Sequence, residues 1–166
     1  MKILLILIVL FLASSCQVSK DYDEKIIIQN NNVYFQNLND LTQVENALIQ
    51  MYLYAYGNAC NPKNNSAKCK ILRYLQIEDE CAQNNILFLN NWFSNNILLL
   101  QKIKKCPSIK SDSPIQNKFE YLKLSKQKDT ISISFNVKGL NNSQEKSWDF
   151  HRNEKYLIQN KKLIKI

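Results

Sequence analysis

Between Thr130 and Lys138 the chain alternates without a break: Ile131, Ile133, Phe135 and Val137 are apolar, and Ser132, Ser134, Asn136 and Lys138 stand between them. Successive side chains of an extended strand point to opposite faces, so a period of two gives one apolar face and one wet face. The same pattern wound into a helix would scatter its apolar groups around the cylinder. The stretch is therefore a strand covered on one side only, which suits an antiparallel sheet with one packed and one solvated face. Its surroundings read the same way. Phe119 to Ser125 is a strand before it, and Gly139-Leu140-Asn141-Asn142-Ser143 is a turn after it. Lys146 to Arg152 then pairs back, with Trp148 and Phe150 on one face. Asn153 and Glu154 turn the chain once more, and Tyr156 to Ile158 with Leu163 to Ile166 completes a meander.

The period upstream is helical. After Asp40, Leu41, Val44, Leu48, Met51, Tyr52 and Ala55 recur at spacings of three and four, giving one apolar face. Asp40 with Gln43 makes a capping-box-like start. Gly57 stands where a left-handed residue ends a helix, so this helix runs to Tyr56. A second helix passes from Cys69 through Ile71, Leu72, Leu75 and Ile77 to Glu78, Asp79 and Glu80. Those three adjacent carboxylates point about 100° apart on a helix and do not converge on one ion. Ile86, Leu87, Leu89, Trp92 and Phe93 form a third helix, broken at Ser94-Asn95-Asn96 before Ile97 to Leu100 and Ile103. The apolar run Ile97 to Leu100 is expected to be buried. Residues 16–39 read as a tether that lends a short strand at Ile26 to Ile28 or Val33 to Phe35, and residues 40–166 read as a single domain. The expected class is α+β, with N-terminal helices packed on a curved C-terminal antiparallel sheet.

Composition narrows the chemistry. With 45% hydrophobic and 22% charged residues the chain is of ordinary globular make-up. Two glycines are too few for a glycine-rich phosphate loop. Of the five cysteines, Cys60, Cys69, Cys81 and Cys106 form an even set downstream of Cys16, which reads as two disulfides in an oxidising compartment. Cys60 with Cys69 would close a short Asn- and Lys-rich loop and leave Cys81 with Cys106. That second bridge requires the chain to fold back at Ser94 to Asn96. Without such a break, Cys69 with Cys106 across a helical hairpin is the alternative. No Cys-x-x-Cys spacing and a single histidine, His151, argue against a metal, and no cofactor is expected.

The N-terminus supplies an address. Lys2 precedes an unbroken apolar run from Ile3 to Leu12, too short for a membrane span of about 20 residues but suited to an export signal. Phe-Leu-Ala-Ser-Ser-Cys at Phe11 to Cys16 resembles the lipobox of bacterial lipoproteins, with Ala13 where leucine is commonest. The resemblance implies a signal peptide at 1–15, removed by a type II signal peptidase, and a diacylglyceryl group on Cys16, whose new amino terminus is acylated. Gln17 in place of Asp implies passage to the outer membrane in enteric-type bacteria. Removing residues 1–15 leaves 151 of the 166 and lowers the formal charge from +8 to +7. Export argues against nucleic acid as the partner of that charge. Anionic lipid, cell-wall polymer or an acidic protein remain, beside plain solubility.

The order of helices followed by an antiparallel meander resembles the cystatin-like cone of the nuclear transport factor two-like superfamily, over about Asp40 to Ile166. Its clearest part is Thr130 to Ile166. In that superfamily the sheet wraps the helices, and the concave face holds a ligand, a catalytic acid or base, a partner, or only core. Tyr52, Tyr56, Trp148 and Phe150 are the candidate pocket residues. Asp149 and His151 share a strand face and are the candidate base pair for an enzyme, but parity puts them opposite Trp148 and Phe150, on the wet side. The leading expectation is a non-catalytic envelope lipoprotein whose domain binds a partner protein. Small-ligand binding and an enzyme using Asp149 and His151 are the alternatives.

Overall fold

The strands are longer than their clearest alternation suggests, because cross-strand pairing carries them past polar residues that would be loop in isolation. The computed structural model describes residues 23–60, 65–77, 81–104 and 114–166. In chain order it contains β1 (Asp23–Gln29), β2 (Asn32–Val33), α1 (Phe35–Asn39), α2 (Gln43–Ala55), α3 (Ala67–Tyr74), α4 (Gln83–Phe93), α5 (Ile97–Lys104), β3 (Ile115–Gln127), β4 (Thr130–Asn141), β5 (Lys146–Gln159) and β6 (Lys162–Lys165). The strands form one antiparallel sheet in the order β2-β1-β3-β4-β5-β6. The fold is α+β, with helices against a curved open sheet, as the sequence predicts. Among the described residues no helix is long and apolar enough to cross a membrane.

β4 is the spine of the core. Ile131, Ile133, Phe135 and Val137 are all fully buried, each contributing roughly 1.5–3 kcal/mol by leaving water. Opposite them on β5 lie Tyr156, Glu154, Arg152 and Phe150 in turn. The turn expected at Asn153 and Glu154 does not form. Instead β5 runs straight through, because the ladder continues from Ser134 opposite Asn153 to Thr130 opposite Leu157. The true reversal is at Asn160-Lys161, both with positive φ (50° and 58°). Two consecutive residues of that kind match the twist of flanking strands in a two-residue hairpin. Gly139 and Leu140 also belong to a strand, β4, and not to the turn expected there.

The folded domain begins before its expected boundary at residue 40. β1 pairs along β3, and Ile27 and Ile28 are fully buried, so residues 23–39 are part of the folded domain. Asn30-Asn31, again both with positive φ (51° and 62°), turn β1 into β2. The first long helix starts later than expected. Thr42, not Asp40, is its N-cap: the Thr42 hydroxyl accepts from the Glu45 backbone N–H while the Glu45 carboxylate accepts from the Thr42 backbone N–H at 2.8 Å. Asp40 caps the C-terminus of α1. The helix ends as expected, with Tyr56 as C-cap and Gly57 at φ 102°.

α2 is buried along nearly its whole length, from Val44 to Tyr54 except Asn46. A helix buried all round lies between layers. Tyr52 meets the sheet through Phe135 and Tyr156, with ring centroids 5.0 and 6.4 Å apart. α4 and α5 cover its far side, and the expected break between them falls at residues 94–96. The run Ile97 to Leu100 is not wholly buried. Leu99 and Leu100 turn inward, whereas Ile97 and Leu98 are 64% and 77% exposed, because four consecutive helical residues spread around a full turn and cannot all face one neighbour. α3 is held by a disulfide between Cys60 and Cys69, with Cα atoms 5.4 Å apart. Cys81 is disulfide-bonded as well, to a cysteine outside the described residues. Cys16, Cys106 and the carboxylates of Glu78, Asp79 and Glu80 also lie outside them.

Candidate functional site

The four candidate pocket residues lie on one side of the sheet, but three of them pack on one another. Tyr56 sits 5.9 Å from Tyr52, 5.4 Å from Phe150 and 4.9 Å from Phe135, centroid to centroid. Lys102 lies 4.6 Å above the Tyr56 ring, and the Arg152 guanidinium 5.7 Å from that of Phe150. These cations cover the rim of the aromatic cluster. Trp148 turns elsewhere. Its indole N–H donates to the Asn117 side-chain oxygen at 2.9 Å, and the ring lies over Gly139, its partner across the ladder. A Cβ at position 139 would overlap that indole, so the glycine is needed for close approach.

Beneath the aromatic cluster is a polar one that sequence reasoning missed. Tyr52 donates its hydroxyl to the Glu154 carboxylate, and the Tyr52 and Tyr156 oxygens are 2.6 Å apart. Tyr156 also reaches Glu154, at 3.2 Å, and Lys165 closes the group with an ion pair of 2.8 Å. Burial opposes ionisation of Glu154. The bonds from Lys165 and Tyr52, the Lys165 charge and the bond from Tyr156 outweigh it and hold the carboxyl below its ordinary range. Burial, first, raises both tyrosine pKa values. At neutral pH this is a satisfied network of one carboxylate, one ammonium and two phenols, which fixes β5 against α2.

Asp149 and His151 lie on the opposite, outer face and are exposed, where parity puts them. Each takes a different partner: Asp149 accepts from the Asn136 amide, and His151 Nδ1 bonds the Tyr121 hydroxyl. Around them the outer face carries the polar half of the strand alternation. Glu24, Lys123, Ser125, Thr130, Ser132, Ser134, Asn153 and Lys155 contribute to a trough of about 440 Å³. A second hollow of about 240 Å³ shares Lys123 and Ser134 with it and adds Asn30, Glu120 and Tyr121. Register explains the grouping, since Lys123 pairs with Ser134, Ser134 with Asn153, and Ser132 with both Ser125 and Lys155.

Among the described residues, the hydroxyls of Ser125, Thr130, Ser132 and Ser134 bond no protein group, and Lys155 has no ion-pair partner. Lys123 makes a 3.9 Å pair with Glu24 and lies 6.0 Å from the centre of the Tyr121 ring. A rigid three-strand platform thus presents hydroxyl donors and two ammonium groups to solvent. It can accept carboxylates and carbonyls from an extended ligand. The alternation of Thr130 to Lys138 contained half of this site as its wet face. Placing Lys123 and Lys155 beside it required the pairing register. No family model, no curated protein and no solved structure matches the chain.

Proposed function

We propose that this chain is a non-catalytic envelope lipoprotein, anchored through acylated Cys16, whose domain binds an acidic, extended segment of a partner protein along the outer face of its sheet. The observation that carries the reading is the row of uncommitted hydroxyls on β3 and β4 lying between Lys123 and Lys155. Such a face is held in place by the sheet and needs no reordering to bind, which limits the entropic cost. The formal charge of +7 that remains without residues 1–15 adds long-range attraction for an acidic partner.

The test is site-specific photo-crosslinking in intact envelopes, with the reactive side chain at Ser132 or, as control, at Leu87 on the helical side. Protein adducts are expected from Ser132, diminishing as salt screens the lysines. A captured partner must then rebind the purified protein and lose about tenfold in affinity on Lys155→Glu, corresponding to about 1.4 kcal/mol. Adducts from Leu87 alone, or a partner indifferent to Lys155→Glu, would sink the proposal.

A further inference from the structure

The two edges of the sheet are finished differently. On the β1 side, β2 pairs with Ile28 and Gln29, the Ile27 carbonyl accepts from the Tyr34 N–H at 3.0 Å, and the Ile26 carbonyl from the Asn37 amide at 2.7 Å. These contacts cover that edge over Ile26 to Gln29. On the other side β6 pairs with β5 only over Tyr156 to Gln159, and the Ile166 N–H takes the Lys155 carbonyl. From Lys146 to Glu154 the outer edge of β5 has no strand beside it among the described residues. The Ile158 N–H points to the β4 side, where it bonds Asp129, and the Lys155 carbonyl points to the β6 side. Odd-numbered residues therefore turn their backbone groups outward. Ser147, Asp149, His151 and Asn153 each offer one N–H and one C=O to the edge. Among the described residues the only contact made with these groups is a long one, 3.5 Å, from the Arg152 guanidinium to the His151 carbonyl.

We infer that this edge pairs with the same edge of a second copy, antiparallel about a two-fold axis at Phe150, joining two six-stranded sheets into one continuous sheet. Side-chain order around Phe150 is self-complementary. Phe150 faces Phe150, Asp149 faces His151, Trp148 faces Arg152, Ser147 faces Asn153 and Lys146 faces Glu154. An acid meets an imidazole at Asp149 and His151, an aromatic meets a cation at Trp148 and Arg152, Lys146 meets Glu154, which Lys165 also holds, and no like charges are opposed. Both copies keep their helices on the same side, because facing residues in this register share a face. The outward groups of Ser147, Asp149, His151 and Asn153 are all satisfied, Asp149 exchanging two hydrogen bonds with His151 and Ser147 two with Asn153 across the axis.

Neighbouring registers fail on the same criteria. Centring the axis on Asp149 opposes Asp149 to itself and Lys146 to Arg152. Centring it on His151 runs the second strand opposite Lys155, whose carbonyl already belongs to Ile166. Charged side chains on an edge usually prevent association. Here their order permits one pairing and resists the adjacent ones.

The test is disulfide trapping of the full chain in its own membranes. Phe150→Cys should give an intermolecular dimer on a non-reducing gel, since directly opposed Cα atoms of a non-hydrogen-bonded pair are about 4.5 Å apart. Phe150 also packs on Tyr56, so Ser147→Cys and Asn153→Cys, both exposed, are co-produced as a second reporter and should form a mixed dimer. Adding Asp149→Lys should cut trapping at least tenfold. Adding His151→Asp to that variant should restore trapping, because a lysine and an aspartate then face each other. Absence of trapping with both reporters would overturn the inference. So would trapping indifferent to Asp149→Lys, or a charge swap that fails to rescue. Outer-face crosslinks from Ser132 are read separately, so loss of either result leaves the other standing.

Discussion

Tyr52 ties the α2 helix to the sheet through one oxygen. Its hydroxyl donates to Glu154 and meets Tyr156, and its ring packs on Phe135. Tyr52→Phe should keep the packing but leave Glu154 and Tyr156 with a missing partner, costing about 1–3 kcal/mol in chemical denaturation. Tyr34→Phe, at an exposed ring, should cost almost nothing. Equal stabilities for the two variants would show that the buried network is not formed. The residues of this network are poorly legible in the sequence. Glu154 reads as a turn residue because a carboxylate rarely occupies an inward strand position, and nothing local announces that two phenols and Lys165 will satisfy it. Gly139 reads as a turn for the same kind of reason. Only the pairing register reveals that Trp148 needs the space.

Elements are more legible than their joints. The two-residue period marks β4, and three-and-four spacing marks α2, because each records a burial face directly. The break between α4 and α5 is visible in Ser94-Asn95-Asn96. Strand ends and caps are not, since Asp40 and Thr42 are both good N-caps and the choice is made by Glu45. Burial opposes the Glu45 charge, but the Thr42 N–H and hydroxyl and Lys25 outweigh it and keep its carboxyl below the ordinary range. β1 reads as tether because its partner β3 lies far along the chain, beyond all the helices. The loop between α2 and α3 carries its own constraint. Replacing Cys60 and Cys69 by Ser should cost about 2–3 kcal/mol, from loop entropy restored to the unfolded chain over a separation of nine residues. Denaturant midpoints of the oxidised parent and the double variant check this. Coincident midpoints would mean that the loop is ordered without its bridge.

At the scale of the whole molecule, two buried networks set the pH range of stability. Glu45 and Glu154 have folded pKa values below the unfolded value of about 4.5. Their contribution is full above that pH and is lost as pH falls through the folded values, because the unfolded chain then binds protons more readily. Tyr52 and Tyr156 are raised above 10, so their contribution holds below pH 10 and is lost as pH rises beyond it. Melting temperatures should form a plateau between these limits. Glu154→Gln should weaken the acid limb, and an unchanged limb would assign it to other carboxylates.

The outer-face site is half legible in the sequence. Alternation displays Ser132 and Ser134, but Lys123 and Lys155 reach them only through pairing across three strands. The proposed anchor rests on the N-terminal residues alone, and it would decide which partners the domain can meet. Intact-mass spectrometry of protein drawn from its own membranes, before and after reduction, tests it most directly. The expected result is a chain beginning at Cys16, heavier by its acyl groups, that gains four hydrogens on reduction, two from the Cys60–Cys69 bridge and two from the bridge at Cys81. An unacylated chain still carrying Met1, unchanged in mass by reductant, would contradict both the export and the envelope partner.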